Sequence, residues 1–317
     1  MEVLPVLRVD EAALRREIAR RRLTTPRPWR SLGHLAVAWG AYGAAAAAAL
    51  IAEQWAVTLV AWTCMAFVIL GNGAIVHETL HGHLFPQAWA NRLVGNIAGA
   101  WVGLPWSTYR AYHLGHHQAS CTANDPEGPP YRFTSRWYYA AVPVGGPAFA
   151  VTFVWWTIRS IAGSPPSFVR SARQHRDLVI DGLLSIAFYA GMVALGVHDF
   201  RLLATVWLVP WLFAIVVLEP LVLIPEHYGA SMADAEFALA TTRTVRSNRL
   251  LTWIYWGNNF HTAHHVAPGV VPQRIAAVSA ELVEPKLGPE WQARGYLAFH
   301  ARTWRQLPWR AATRRSC

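Results

Sequence analysis

The sequence is poor in charge, in lysine and in cysteine. Charged residues make up 15 % of its 317 positions, well below the roughly 25 % of soluble proteins, and this argues against a soluble domain. The three cysteines, Cys64, Cys121 and Cys317, form no CxxC pair, which predicts neither a disulfide framework nor a thiolate metal site. The chain also lacks a CxxCH motif and a cysteine cluster, which excludes attached haem and iron–sulfur centres. If the protein catalyses a redox reaction, its electrons must therefore come from another protein.

Long apolar runs take the place of the missing charge. They cover residues 34–52, 55–76, 178–197 and 201–224. Each approaches the ~20 residues that a helix needs to cross the hydrocarbon core of a membrane, and short turns join them in pairs. The sequence therefore predicts an all-α integral membrane protein with four transmembrane helices arranged as two hairpins. Interfacial helices are expected in between, one of them within residues 84–112.

A fifth apolar segment, residues 138–158, is also long enough to cross. It contains the sequence PVGGP at 143–147, and such a break favours an in-plane or re-entrant helix. One more crossing would also place the first and last histidine clusters on opposite sides of the membrane. We therefore predict an even number of crossings.

The charge that is present is mostly arginine, with a net charge of +10. A basic excess can indicate a nucleic-acid-binding protein, but beside long apolar runs it indicates cytoplasmic loops, and we expect no nucleic-acid partner. Arginines are concentrated before the first span and between residues 294 and 315, whereas the hairpin turns hold only Arg201. Both termini are therefore predicted to be cytoplasmic.

We expect one domain over residues 1–317. Its predicted segments are an Arg-rich cytosolic segment (1–30), a first hairpin (34–76), two histidine clusters with interfacial helices (77–177), a second hairpin (178–224) and a cytosolic cap (225–317).

Ten of the fourteen histidines lie in four clusters, each just beyond a long apolar stretch. The clusters are HETLHGH (His77, His81, His83), HLGHH (His113, His116, His117), EHYG (His227) and HTAHH (His261, His264, His265). Neutral imidazole is the commonest side-chain metal ligand, and spacings of three and four residues place such side chains on one helix face. Eight or nine imidazoles are too many for one tetrahedral ion and suit two ions with open positions. Iron, zinc, copper and nickel all accept such ligands, and a pair of irons could activate dioxygen.

Three other interpretations of the histidines fit the sequence less well. HETLH matches HExxH, in which two histidines bind zinc and Glu78 activates water in a metalloprotease, but this leaves the other clusters unexplained. A metal transporter would need polar groups deep within its spans, and only Glu219 and Asp181 interrupt them. Surface histidines without a ligand would not recur on one membrane face. Four histidines outside the clusters are nevertheless expected to bind no metal: His34, His175, His198 and His300.

The ordered clusters resemble the membrane fatty acid desaturase superfamily, in particular its bacterial members. The resemblance rests on HETLHGH, HLGHH followed by NDPE, EHYG, and NNFHTAHH followed by VAPGVVPQRI, and it covers roughly residues 55–275. It implies two iron ions on the cytosolic face of a bacterial inner-membrane protein, dioxygen as co-substrate and a ferredoxin-like electron donor with its reductase. By position, the implied ligands are His77, His81, His113, His116, His117, His227, His261, His264 and His265. His83 is a ligand or a partner of one.

One departure concerns a tenth ligand. Some relatives carry Asn four residues before the histidine that matches His227, whereas this chain has Leu223. Glu219, Glu226 or a water is the expected substitute, and Glu226 could instead orient a ligating imidazole. Glu78 and Asp125 are expected to accept the free N–H of a ligating histidine, although an ordinary turn role suits Asp125 equally.

The expected reaction is oxygen-dependent introduction of a double bond into a fatty acyl chain or lipid. Hydroxylation or ketolation of a lipid or carotenoid, and desaturation or oxidative decarboxylation of a small biosynthetic acid, remain open because the same ligands serve them all. Candidate substrate contacts are aromatic residues between the first two clusters and two arginines that could grip an anionic group. They are Trp101, Trp106, Tyr109, Tyr112, Arg243 and Arg246.

Overall fold

The computed structural model describes residues 11–310, and these are predominantly helical. The prediction of an all-α chain with long apolar helices is confirmed. In chain order the α-helices are α1 (Glu11–Arg20), α2 (Pro28–Ile51), α3 (Trp55–Leu80), α4 (Ala88–Val102), α5 (Trp106–Ala119), α6 (Arg136–Ala141), α7 (Gly145–Ile161), α8 (Ala172–His198), α9 (Phe200–Leu203), α10 (Val209–Phe213), α11 (Glu219–His227), α12 (Ala238–Thr241), α13 (Arg249–Ile254), α14 (His261–Val266), α15 (Pro272–Val278) and α16 (Tyr296–Gln306). Two short strands, β1 (Thr244–Val245) and β2 (Gln292–Ala293), pair in parallel.

Five helices in the described part of the chain are long and apolar enough to cross a membrane. Four of them form hairpins: α2 turns into α3, and α8 turns into the continuous helix Phe200–His227. This last helix contains α9, α10 and α11, joined by π-helical turns at Ala204–Leu208 and Ala214–Leu218. Pro210 and Pro220 are each the second residue after these turns. Because proline cannot donate a backbone hydrogen bond, the wider turns relieve the local helix.

The fifth long helix, Arg136–Ile161, contains the PVGGP sequence. α6 and α7 are joined there by a single 3-10 turn at Val142–Val144, so the sequence changes the helix type without ending the helical run. Pro143 and Pro147 both lie in the first turn of a helical segment, where a proline removes no intrahelical hydrogen bond.

Both ends of Arg136–Ile161 lie on the side of the molecule that holds the histidines. At its start, the Arg136 guanidinium donates to the carbonyl oxygens of Trp304 and Arg305 in α16. At its end, His175 Nε2 lies 2.7 Å from the carbonyl oxygen of Ser160, and His175 belongs to the first turns of α8. The helix thus returns to the side from which it starts.

A buried ionic cluster holds α4, α5 and α8 together. Asp181, 2 % exposed, accepts hydrogen bonds from Arg92 at 2.9 and 3.1 Å and from the hydroxyl of Ser107. Arg92 also donates to Asp177 at 3.3 Å. Because Ser107 lies in the first turn of α5, this cluster fixes the helix that carries the second histidine cluster.

Close packing at Gly95 fixes α4 against α3 and α5. A Cβ added to Gly95 would lie 2.2 Å from the Trp106 indole and 2.6 Å from Oγ1 of Thr79. These two side chains are themselves joined, because Trp106 Nε1 donates to Thr79 Oγ1 at 3.0 Å. Glycine at this position therefore lets three helices meet directly beside the first histidine cluster.

The substitution Gly95→Ala is expected to destabilise the protein by about 1–3 kcal/mol, the usual cost of overpacking a tight core. The measurement is the temperature at which the detergent-purified protein loses half of its monodisperse fraction. Gly43→Ala is the matched control, since Gly43 lies in α2 with nothing within 4 Å of its added Cβ. Equal stability of the two variants would contradict this account of the packing.

Candidate metal centre

The three major histidine clusters lie on three helices that end at the same place. His77 is in the last turn of α3, α5 carries the HLGHH cluster, and α14 is the HTAHH cluster itself. His227 ends α11. Helical spacing places the histidines of each cluster on adjoining faces, so the imidazoles of all four clusters meet in the interior.

Eight of these imidazoles form two groups. The nitrogens within each group all lie within 4.8 Å of one another. The first group is His77, His81, His113, His117 and His264, and the second is His116, His227 and His265. Nitrogens that share one ion lie at most roughly 4 Å apart, because each bond is about 2 Å long. The spacing is therefore close to that of two coordination shells.

A ninth histidine, His261, joins the second group. Its Nε2 lies 2.9 Å from Nε2 of His227, and its ring centroid lies 4.4 Å from that of His265. The two groups adjoin, because the rings of His117 and His265 are only 4.4 Å apart. The arrangement can thus hold two metal ions side by side.

The hydrogen bonds of the imidazoles fit a bound metal. Nδ1 of His116 lies 2.9 Å from the Asp125 carboxylate, and Nδ1 of His227 lies 3.0 Å from the carbonyl oxygen of Thr241. These contacts place the ring proton on Nδ1 and leave the Nε2 lone pair free. Several of the Nε2 atoms are buried without a hydrogen-bond partner, among them those of His81, His116 and His265. An unpartnered buried nitrogen is costly, and a cation among these atoms would satisfy them.

Burial favours the neutral form of several of the clustered imidazoles. It lowers the pKa of His117 to about 2, and the neighbouring His116 and His77 lower it further. The pKa values of His113, His264 and His265 also lie well below the usual value, first because of burial and then because of adjacent imidazoles. Neutral imidazole is the form that binds metals.

Glu78 connects two histidines of the first cluster. Its Oε1 lies 2.8 Å from Nδ1 of His77, and its Oε2 lies 2.6 Å from Nδ1 of His83. His83 is outside both groups, although its ring stacks on His81 at 5.3 Å. This geometry makes Glu78 an orienting carboxylate and favours the supporting role for His83.

Asp125 has two tasks. Besides accepting from His116, its carboxylate accepts from the backbone N–H groups of Cys121, at 2.8 Å, and Glu127, at 2.9 Å. The turn role and the histidine-orienting role, which the sequence left open as alternatives, therefore coexist. The turn also places Glu127, a residue that sequence reasoning missed, 3.6 Å from Nδ1 of both His113 and His116. Its place beside Asp125 in NDPE was the available signal.

The two acidic residues of the last span lie beside the groups and belong to neither. Glu226 accepts a hydrogen bond from the hydroxyl of Tyr255 at 3.1 Å, and its Oε2 lies 3.7 Å from Nδ1 of His261. Glu219 lines the cavity described below. Cys121, which the sequence did not single out, places its Sγ 3.5 Å from Nδ1 of His227.

A cavity of about 390 Å³ begins at the histidines and continues between the helices. Five histidines line its polar end, together with Asp125, Glu127 and Glu226. Its other walls are mainly apolar and come from α3, the α4–α5 connection, α7 and the last span. They include Ile69, Leu70, Ala74, Val102, Leu104, Phe149, Ala214, Ile215, Val222 and Leu223. The site therefore joins a metal-binding end to a slot for an apolar chain.

The predicted substrate contacts are divided by the structure. Tyr109 and Tyr112 line the cavity, whereas Trp101 and Trp106 do not. The Arg243 guanidinium is 8 % exposed and donates to the carbonyl oxygens of Pro225, Tyr228 and Glu290, so that it stabilises the cap. Arg246 lies at a different cavity.

Comparison with known proteins agrees with this site. The sequence profile of the family described as fatty acid desaturase matches residues 53–300, which is most of the chain. A similar protein is the "Probable fatty acid desaturase DES1" of Sorghum bicolor, with 31 % identity over 91 residues. The matched segment is 29 % of this chain, and the chain spans only 24 % of that relative's length.

The substitution Glu78→Gln is expected to lower metal affinity about 10–100-fold, because one amide cannot accept hydrogen bonds from both His77 and His83. Metal retained during dialysis against graded chelator, measured by mass spectrometry, checks this. Glu53→Gln, at an exposed turn position, is the control. In a zinc protease Glu78 would activate water, so full metal retention with lost peptidase activity would contradict the orienting role.

Proposed function

The chain belongs to the fatty acid desaturase family, and on this basis we propose that it introduces a double bond into a fatty acyl chain or a similar lipid. The proposed enzyme depends on dioxygen and two iron ions and takes its electrons from an external donor. The observation that carries the proposal is the cavity that runs from the paired imidazole groups into an apolar slot. Such a cavity brings an unactivated carbon chain against a redox-capable centre.

We propose that nine histidines hold the two irons. The five imidazoles of the first group would hold one iron, and the second group together with His261 would hold the other. Bound iron would supply reductive activation of dioxygen. The chain's own residues fix the geometry: Glu78 and Asp125 orient His77 and His116 through Nδ1. Glu226 and Glu219 complete the wall beside the second group.

The cavity favours a neutral chain over a small acid. No arginine or lysine lines it among the residues that the structure describes, whereas Glu127, Glu219 and Glu226 do. A substrate carboxylate at the level of Glu219 would find no cation to pair with it in an apolar surrounding, which is unfavourable. A hydrocarbon chain requires no such partner. The alternative of a small biosynthetic acid is therefore not the one proposed.

We propose four membrane crossings, with the histidine side in the cytoplasm of a bacterial cell. The contact between His116 and His227, whose ring centroids are 4.9 Å apart, requires an even number of crossings between them. α8 and the helix Phe200–His227 supply two. The helix Arg136–Ile161 then lies as an in-plane or re-entrant element, which its two cap-side ends support. The bacterial assignment rests on the resemblance of the histidine clusters alone, and residues 1–317 are treated as one domain.

The proposed donor is an acidic ferredoxin served by its reductase. α1 packs on α14, and Leu14 and Ile18 belong to the same buried apolar cluster as Ala263 and Val266. α1 and the turn that follows it carry several arginines, among them the exposed Arg20 and Arg22. A basic surface directly outside the third histidine cluster would steer an acidic partner to the centre.

Metal content and oxygen consumption test the proposed function. The detergent-purified chain is expected to hold about two irons and to consume dioxygen only when a ferredoxin, its reductase and an acyl lipid are supplied. Mass spectrometry of the product should show the loss of two hydrogens. The rate should fall as salt rises, because screening weakens electrostatic steering. One tightly held zinc without oxygen uptake would overturn the proposal, and a gain of oxygen in the product would replace desaturation by hydroxylation.

A second prediction concerns the apolar end of the cavity. Ala214 is buried on the last span and lines the slot, so Ala214→Phe is expected to shift acceptance toward shorter chains while metal content stays unchanged. The preferred chain length is measured by supplying the two proteins with mixed acyl lengths. Ala194→Phe is the control, because Ala194 lies exposed on α8. An unchanged length preference in Ala214→Phe would place the substrate elsewhere.

A further inference from the structure

A second cavity of about 540 Å³ lies between the membrane helices and the cap. One side is apolar and comes from α3 and the last span, through Phe67, Leu70, Leu218, Leu221 and Val222. The other side comes from the cap and includes Arg246, Ser247, Asn248, Arg294 and the first residues of α16. The cavity therefore has a membrane-level apolar wall and a polar, basic wall above it.

The parallel strand pair brings two arginines together at this cavity. Thr244 and Val245 pair with Gln292 and Ala293, and Arg246 N–H donates to the carbonyl oxygen of Ala293 at 2.8 Å. The same register places Arg246 beside Arg294. Adjacent like charges on paired strands are unfavourable unless an anion joins them.

The two arginines are unequally compensated. The Arg246 guanidinium donates to Glu284 Oε2 at 2.8 and 3.1 Å. Arg294 is exposed, and among the described residues no carboxylate lies within ion-pair distance of it. One positive charge at the cavity is thus left without a protein partner.

The start of α16 adds hydrogen-bond donors to the same wall. Gly295 precedes the helix and offers no side chain to cap it, so the N–H groups of Tyr296, Leu297 and Ala298 are available to an anion. Exposed apolar side chains lie in the same segments: Leu297, which lines the cavity, is 75 % exposed, and Leu250, adjacent in sequence to the lining residue Leu251, is 66 % exposed. Exposed leucines beside arginines are suited to the boundary between lipid headgroups and acyl chains.

We propose that this cavity binds one anionic membrane phospholipid, with its phosphate at Arg294 and Arg246 and an acyl chain along Phe67, Leu70 and Leu221. The charge complementarity and the apolar wall commit the site to a lipid rather than to a soluble anion. The site is distinct from the histidine-lined cavity and does not depend on the proposed reaction. Leu70 and Val222 line both cavities, so a bound lipid would support the wall of the histidine-lined one.

Native mass spectrometry of the delipidated full chain tests the proposal with phosphatidylglycerol, phosphatidylcholine and inorganic phosphate as separate probes. Retention of one phosphatidylglycerol, in clear preference over phosphatidylcholine and without competition from phosphate, is expected. Arg294→Gln should weaken this binding about tenfold, as expected for loss of one charge-assisted hydrogen bond. Arg294 is the chosen position because its replacement breaks no ion pair among residues 11–310.

Two further variants separate a specific site from general attraction. Arg302→Gln, an exposed position on α16 outside the cavity lining, should retain the lipid. Ala298→Phe adds bulk at an exposed lining position and should displace the lipid while iron content and unfolding temperature without lipid stay unchanged. Equal binding of both lipids, equal weakening by Arg302→Gln and Arg294→Gln, or binding of phosphate alone would each overturn the proposal.

Discussion

The burial of clustered imidazole nitrogens is the constraint on which this structure depends. Neutral imidazoles offer lone pairs that must find a donor or a cation once water is excluded. Here several Nδ1 atoms, among them those of His77, His116 and His227, find carboxylates or carbonyl oxygens, whereas Nε2 atoms such as that of His265 find no hydrogen bond. The fold brings these nitrogens together from four helices, and a pair of metal ions would complete them. The helices that carry the histidines are held accordingly, by the buried Asp181 cluster and by direct contact at Gly95.

The residues that orient the imidazole rings are as important to the site as the histidines themselves. Glu78 serves two histidines at once, and Asp125 closes a turn while it accepts from His116. A carboxylate with several tasks fixes both the ring and the backbone that carries the next residue. The NDPE segment is not helical, and the turn that Asp125 closes places Glu127 within 3.6 Å of two imidazoles.

Much of this arrangement could be predicted from the sequence, because periodicity and length carry the information. The apolar runs predicted the hairpins, and the spacing of His77, His113 and His261 within their clusters predicted convergence. Glu127, Tyr255 and Cys121 could not be predicted in the same way, because their approach depends on tertiary contacts between loops and cap. The helix Arg136–Ile161 shows another limit: the sequence PVGGP predicts a departure from regular α-helix, but the form of that departure, a single 3-10 turn, is visible only in the structure. Trp106 shows a third limit. Its aromatic side chain and its position predicted a substrate contact, but its ring packs between Gly95 and Thr79.

The two cavities differ in the acidic and basic residues that line them, although they share a wall. The histidine-lined cavity presents Glu127, Glu219 and Glu226 and no arginine or lysine of the described chain, whereas its neighbour presents Arg246 and Arg294. An anionic headgroup therefore finds no arginine or lysine to pair with in the first and two arginines in the second, while a neutral chain can enter either. Because Leu70 and Val222 separate them, occupancy of the basic cavity would limit how far this wall can move. The same membrane could then supply a reacting chain to the first cavity and a supporting lipid to the second, because only the second offers arginines to an anionic headgroup.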